Sequence, residues 1–206
     1  SSVFQNSGDT SFVDTNLSLT LEDGTCLFYD YNVDGYLDII VNGNDGLNNL
    51  NTSIFINDGS GSFSYSSSIL NSSEFSSFAK GDIDNDNDFD LVVDGRTDTG
   101  DTTSTILNLF TFDLNSFSLN NSIGKSSRSS NIFFDYNLDS YLDLFNLGSS
   151  QTSSSSNYKN STILENSTIN SNLSSIQDIF SGSSTVFDYG NDLDLDLLVS
   201  GYVNST

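Results

Sequence analysis

Apolar residues in this chain fall in short runs, and each run adjoins an acidic stretch. Leu37-Asp-Ile-Ile-Val41, Phe89-Asp-Leu-Val-Val93, Leu142-Asp-Leu-Phe145 and Leu195-Asp-Leu-Leu-Val199 are nearly continuous. About five such residues suit a strand buried on both faces. A glycine ends each run, at Gly43, Gly95, Gly148 and Gly201, where a positive φ would explain the residue. A shorter apolar run precedes each acidic stretch: Cys26–Tyr29, Phe78–Lys80, Ile132–Phe134 and Thr185–Phe187. Hairpin text separates these units. Its clearest case is Ser53–Tyr65, where alternating segments flank Asn57-Asp58-Gly59, and Val3–Phe12 has the same form. Ile106–Phe117 and the stretch near Tyr158–Asn160 are less regular hairpin candidates. No segment holds a helical period for three turns.

The acidic stretch is one nonapeptide, beginning at Asp30, Asp82, Asp135 and Asp188 and so returning at intervals of 52, 53 and 53 residues. A fixed period of this size means one supersecondary unit per repeat. Four strands per period is the content of a propeller blade. The predicted fold is therefore all-β, a β-propeller of four-stranded blades with about four repeats of 52 residues in a single repeat domain. Residues 1–24 form a hairpin completing a blade, and 25–76, 77–129 and 130–182 form full repeats. Residues 183–206 form a partial fourth.

The two ends complement each other. The chain opens on a hairpin with no loop before it and closes on a loop and strand with no hairpin after it. Joining Thr206 to Ser1 would put Asp188 and Asp30 48 positions apart, close to the other intervals. The N-terminal hairpin is thus expected to complete the fourth repeat, within one closed ring or between successive copies. Missing repeats of a longer parent chain could equally fill the gap, but four blades is the low end for a propeller, which favours pairing between copies.

Composition sharpens this picture. Net charge is −23, with five Lys and Arg in all, too few to neutralise a row of phosphates, so a nucleic-acid partner is excluded. An anionic membrane surface is excluded on the same ground, and no run approaches the roughly 20 apolar residues of a membrane span. The nonapeptides hold 15 of the 28 acidic residues. Carboxylates two residues apart repel by about 1 kcal/mol per close pair even at water's dielectric, so clusters at a fixed period require a counter-ion. Cys26 stands alone, which rules out a disulfide framework, and its apolar neighbours predict a small buried hydrophobe. Without an initiator Met or a signal peptide in this stretch, the chain reads as a processed form, a fragment or a sequence inferred by another route.

Oxygen ligands at alternate positions around a tight bend are the chemistry of a calcium loop. The first loop offers Asp30, Asn32, Asp34 and Asp38, the carbonyl of Tyr36, and Gly35 at the bend. The second offers Asp82, Asp84, Asp86 and Asp90, the Asp88 carbonyl, and Asn87 at the bend. The third offers Asp135, Asn137, Asp139 and Asp143, with Tyr141 in the carbonyl place and Ser140 at the bend. The fourth is degraded. Gly190 replaces one ligand and Leu193 occupies the bend, where positive φ is costly. Asp188, Asp192 and Asp196 remain, with Asp194 in the carbonyl place. A helical EF-hand would carry a bidentate Glu at position twelve, whereas here strand text follows position nine. Magnesium suits such a cage less well, because it keeps water and a rigid octahedron.

Loops of this kind, each followed by an apolar strand and a glycine, resemble FG-GAP repeats, which integrin α-subunit propellers and many secreted propellers carry. The segment Ser53–Phe63 is similar to the related VCBS form. The resemblance runs the length of the chain. It implies calcium at the loops, blades around an axis and an extracellular, secreted setting.

Glycosylation signals stand at Asn16, Asn51, Asn71, Asn120, Asn160, Asn166, Asn172 and Asn204, no more than so Asn- and Ser-rich a chain would contain by composition. Catalysis is the weakest functional class. The chain has no His, which removes imidazole triads, and acidic pairs that could serve a glycosidase have a simpler use as metal ligands. The leading expectation is a non-catalytic structural or adhesive module that binds extracellular protein, glycan or other copies of itself, with assembly into a filament as one form. The alternative is a carbohydrate-binding, lectin-like propeller that grips sugars with edge aromatics.

Overall fold

The computed structural model describes residues 2–8, 10–19, 21–47, 49–66, 70, 72–97, 105–113, 116–151, 157–165, 168–172 and 179–202, and every regular element among them is a strand. β1 (Ser2–Asn6) and β2 (Phe12–Ser18) form an antiparallel hairpin. β3 (Glu22–Tyr29), β4 (Asp38–Asn44), β5 (Leu50–Asn57) and β6 (Phe63–Ser66) form an antiparallel meander, sheet 1. β7 (Phe78–Gly81), β8 (Asp90–Arg96), β9 (Thr105–Asp113) and the first part of β10 (Ser116–Phe134) form sheet 2. The rest of β10 joins β11 (Asp143–Gln151), β12 (Asn157–Glu165) and β13 (Thr168–Asn172) in sheet 3. β14 (Phe180–Phe187) and β15 (Asp196–Tyr202) form a final hairpin.

β10 serves two sheets. It pairs with β9 as far as Ser126 and with β11 from Ser127, where an irregularity in the register turns the strand. Bulges increase twist and re-aim a strand, which is how one long element continues from sheet 2 into sheet 3. Near Tyr158–Asn160 the hairpin expectation shifts. These residues lie within β12, and the connection to β13 comes after Glu165. The Asn57-Asp58-Gly59 signal does mark a turn, closed by Asp58 N–H donating to Ser62 O at 3.1 Å, with Gly59 at φ 76° and Gly61 at φ 91°.

Successive sheets stack face to face, and the central strand of each explains its apolar run. In β4, Ile39 and Val41 pack under β1 and β2 with Val3 and Leu17, while Ile40 points into the layer shared with sheet 2. In β8, Leu91 and Val93 face sheet 1, while Val92 meets Leu144 of β11. Phe145 and Leu147 face the β14–β15 hairpin, packing with Val186, Leu197 and Val199. Alternate side chains of one strand thus fill two different cores, so no position in the run can be polar without cost.

Polar side chains stitch the layers where the strands end. The carboxamide of Asn42 donates to Ser73 Oγ at 3.0 Å, and that of Asn44 donates to Glu74 at 3.0 Å. Glu74 also pairs with Arg96. Gly43 is needed there for close approach, because a Cβ would come within 2.6 Å of Glu22 O.

The starts of the four inner strands converge. Asp23, Phe75, Arg128 and Ser181 lie one repeat apart and share φ values of 51°, 49°, 50° and 50°. Phe75 N–H donates to Asp23 O, and Arg128 N–H donates to Phe75 O. All four line one cavity of about 380 Å³. The starts of these strands therefore meet at one cavity. Among the described residues, though, β15 pairs with β14 alone and β1 with β2 alone.

One sequence expectation changes. Cys26 is exposed rather than buried, lying beside Val3, Phe4 and Phe28 in an open groove among the described residues. Of the glycosylation signals, Asn16 and Asn51 are exposed. The backbones of Asn120, Asn160 and Asn172 run in β10, β12 and β13. The side chains of those three, together with Asn71, Asn166 and Asn204 as whole residues, lie outside the described set.

Candidate metal-binding loops

Each nonapeptide links two neighbouring strands: β3 to the buried β4, β7 to the buried β8, β10 to the buried β11, and β14 to the more exposed β15. The carboxylate at the first position organises the turn. Asp30 accepts hydrogen bonds from Asp34 N–H at 3.0 Å and Gly35 N–H at 2.9 Å. Asp82 does the same for Asp86 and Asn87, at 3.1 and 3.0 Å. Asp135 takes Asp139 and Ser140 at 3.0 and 2.8 Å. Asp188 takes Asp192 and Leu193 at 3.2 and 3.1 Å. The fifth position then accepts the amide two residues on: Tyr36 to Asp34, Asp88 to Asp86, Tyr141 to Asp139 and Asp194 to Asp192.

The last Asp binds the loop to the sheet. Asp38 accepts Tyr31 N–H with one oxygen and Asn57 N–H of β5 with the other, each at 2.8 Å. Asp90 accepts Ile83 N–H at 2.8 Å and Phe112 N–H of β9 at 3.0 Å. Asp143 and Asp196 accept Tyr136 and Tyr189 N–H at 3.0 and 2.8 Å. Asp38, Asp90 and Asp143 are fully buried, whereas Asp196 is exposed. Burial pushes Asp90 up to about 6, with repulsion from Asp84 and Asp86 adding to it and the two amide donors opposing it.

The anticipated bend residues all have positive φ: Gly35 at 88°, Asn87 at 76°, Ser140 at 71° and Leu193 at 74°. The structure adds a second left-handed residue to every loop, namely Val33, Asn85, Leu138 and Asn191, at φ 54–61°. Sequence reasoning missed these. Asn85 and Asn191 carry a signal, since Asn tolerates this region, but Val33 and Leu138 carry none. The contact from the last Asp to the third strand was also missed, because it depends on register rather than on local text.

The donor set of the second loop is one that could hold a metal ion. In the second loop one carboxylate oxygen each from Asp82, Asp84 and Asp86 lies within 4.8 Å of the others. In the first and third loops Asn32 and Asn137 stand at the Asp84 position, each turning its carbonyl oxygen inward to accept the amide of Asp34 or Asp139. In the fourth loop Gly190 offers no side chain at this place.

Residues 30–93 match the family model of the FG-GAP-like repeat. The match opens on Asp30 and ends on Val93 in β8, so it spans the first two loops and the strands β4, β5, β6 and β7 between them. No curated protein and no solved structure matches the chain.

Proposed function

We propose that the chain is a non-catalytic, calcium-stabilised module of propeller type, acting outside the cell as a structural or adhesive element. The convergence of the Asp82, Asp84 and Asp86 oxygens carries the reading, supported by the same amide scaffold in the other loops. Calcium would be held by Asp30, Asn32, Asp34 and Asp38, by Asp82, Asp84, Asp86 and Asp90, and by Asp135, Asn137, Asp139 and Asp143. When bound, the ion neutralises clustered carboxylates and locks each loop between two strands. The chain's own residues shape the turn beforehand, through amides donated to the first and fifth carboxylates and through the last Asp anchored on the sheet. The faces of the stacked sheets are left to bind extracellular protein, glycan or further copies.

Calcium removal tests the reading. At tenfold excess over a site's dissociation constant, each bound ion adds about 1.4 kcal/mol to stability, so three loops should add about 4 kcal/mol. Excess chelator should lower the melting temperature by many degrees, and readdition of calcium should restore it. Asp34→Ala or Asp139→Ala should reduce this calcium-dependent gain more than Asp192→Ala, since the fourth loop already lacks a ligand. A melting curve indifferent to chelator would sink the calcium assignment.

A further inference from the structure

Four backbone positions one repeat apart carry unlike side chains around one space. Asp23, Phe75, Arg128 and Ser181 sit at φ 49–51°, a region that costs an L-residue conformational energy and that glycine would enter freely. Non-glycine residues held there cluster at ligand-contacting sites. Here all four line the cavity of about 380 Å³, with Gly24, Ser76 and Gly182 completing its wall. That volume is at the lower end of the range for small-molecule sites.

The charges around this cavity are not paired with each other. With five Lys and Arg against 28 Asp and Glu, each cation has many carboxylates to choose from. Arg96 takes Glu74, with Nε donating to Oε1 at 2.8 Å. Arg128 takes none. Its guanidinium lies 4.5 Å from the centre of the Phe75 ring, which Arg96 also approaches, at 5.0 Å. Among the described residues Arg128 forms no ion pair. Glu74 is close enough to attract it, but Arg96 holds one oxygen of Glu74 and the Asn44 carboxamide holds the other. Asp23, across the same cavity, forms no ion pair among the described residues either.

A guanidinium and a carboxylate therefore share one cavity without joining. Both side chains are open to solvent. Ser76 adds an orphaned group, because its Oγ is buried and has no hydrogen-bond partner among the described residues. Buried polar atoms are normally satisfied, and one that is not calls for an explanation. A ligand in the cavity supplies one.

We propose that this cavity binds a small zwitterion, a molecule with an ammonium and a carboxylate such as a free amino acid. The planar fork of Arg128 takes the carboxylate. Asp23 accepts the ammonium, and the Ser76 hydroxyl donates to a ligand oxygen. Overall charge selects this class over a simple anion. At −23 the protein's field repels an anion, whereas a zwitterion has no net charge and uses both local partners. The inference uses neither the calcium loops nor the structural role proposed above.

Titration calorimetry on the 206-residue chain with glycine, L-serine and γ-aminobutyrate tests it, with acetate and methylammonium as single-charge controls. At least one of the three zwitterions should bind with a dissociation constant below about 1 mM. Each control loses one charged partner and should bind at least about tenfold more weakly. Asp23→Asn removes the charge at little risk to the fold. Asn tolerates the left-handed region, and the bond from Phe75 N–H goes to the backbone oxygen of residue 23, which the substitution keeps. It should weaken the zwitterion at least about tenfold, and Arg128→Gln should do the same. Melting curves without ligand show whether each variant is folded, and Asp23→Asn decides alone if Arg128→Gln is not. Absence of binding by all three zwitterions up to about 10 mM overturns the site. Acetate binding as tightly as the zwitterions also overturns it, leaving a simple anion site. Zwitterion binding that Asp23→Asn leaves unchanged overturns it too, by placing the ligand elsewhere.

Discussion

β8 and β15 carry almost the same text, Asp-Leu-Val-Val and Asp-Leu-Leu-Val, after nearly the same loop, yet they occupy opposite environments. In β8 every residue from Asp90 to Gly95 is buried, while in β15 only Leu197 and Val199 are even partly covered. The difference lies in the neighbours. β8 has β7 and β9 on its edges and a sheet against each face, whereas β15 has β14 on one edge and sheet 3 against one face. A strand in a stacked repeat array owes its burial to the units on either side of it.

The largest break in this comparison comes from emptying an interior position. Phe145 is fully buried between β11 and the last hairpin. Phe145→Ala should cost about 3–5 kcal/mol through lost transfer energy and a residual cavity. A guanidinium midpoint measured on the purified variant checks it. A loss below about 1 kcal/mol would mean that β14 and β15 do not pack on sheet 3 in solution.

Asp94 adds a pH-dependent version of the same contrast. It is wholly buried at the boundary between sheets 2 and 3, where it accepts hydrogen bonds from Ser77 N–H, the Ser129 hydroxyl and, at 2.9 Å, the Asn131 carboxamide. The corresponding residue of β15, Ser200, is exposed and neutral. Burial pushes Asp94 up to about 7, against the hydrogen bonds from Asn131 and Ser77. The folded state therefore holds this proton more tightly than the unfolded chain does. Its contribution is fully present below about pH 4 and is lost as pH rises toward 7, on the order of 4 kcal/mol for a shift of this size. Relative to Asp94→Asn, which has no charge to lose, the wild type should become progressively less stable across that window. Parallel denaturation curves at pH 4, 5.5 and 7 would show it, and a constant difference between the two proteins would refute it.

Much of this was legible in the chain, for a physical reason. The period, the strand pairs around each loop and the double-sided burial of Ile39–Val41 and Leu91–Val93 all follow from local pattern, because a strand with a sheet on each face takes a polar residue only where it finds a hydrogen-bond partner. The bends at Gly35, Asn87 and Ser140 were readable because few residues accept positive φ. What escaped depends on distant partners. Cys26 looks buried in its own segment, and its exposure depends on which elements pack beside β3. The change of sheet along β10 has no marker in Ser126-Ser127-Arg128-Ser129. The shared left-handed geometry at Asp23, Phe75, Arg128 and Ser181 is equally silent, since the four side chains have nothing in common.

The smallest effect isolates the bend itself. Leu193 sits at φ 74° in the fourth loop, at the place where the first loop has Gly35 at φ 88°. An L-residue in this region loses roughly 1–2 kcal/mol to contact between its Cβ and the backbone. Packing does not compensate, because the Leu193 side chain is 85% exposed. The hydrogen bond that fixes the turn, Leu193 N–H to Asp188 at 3.1 Å, belongs to the backbone and survives replacement. Glycine would relieve the strain at the cost of a more flexible unfolded chain, which takes back up to about 1 kcal/mol. Leu193→Gly should thus stabilise the protein by roughly 0.5–1 kcal/mol, and Gly35→Leu should destabilise it by a similar amount. Both are read from denaturation midpoints without calcium, so that ion binding does not mask the backbone term. If Leu193→Gly is neutral or harmful, the fourth loop does not hold the left-handed bend of the other three.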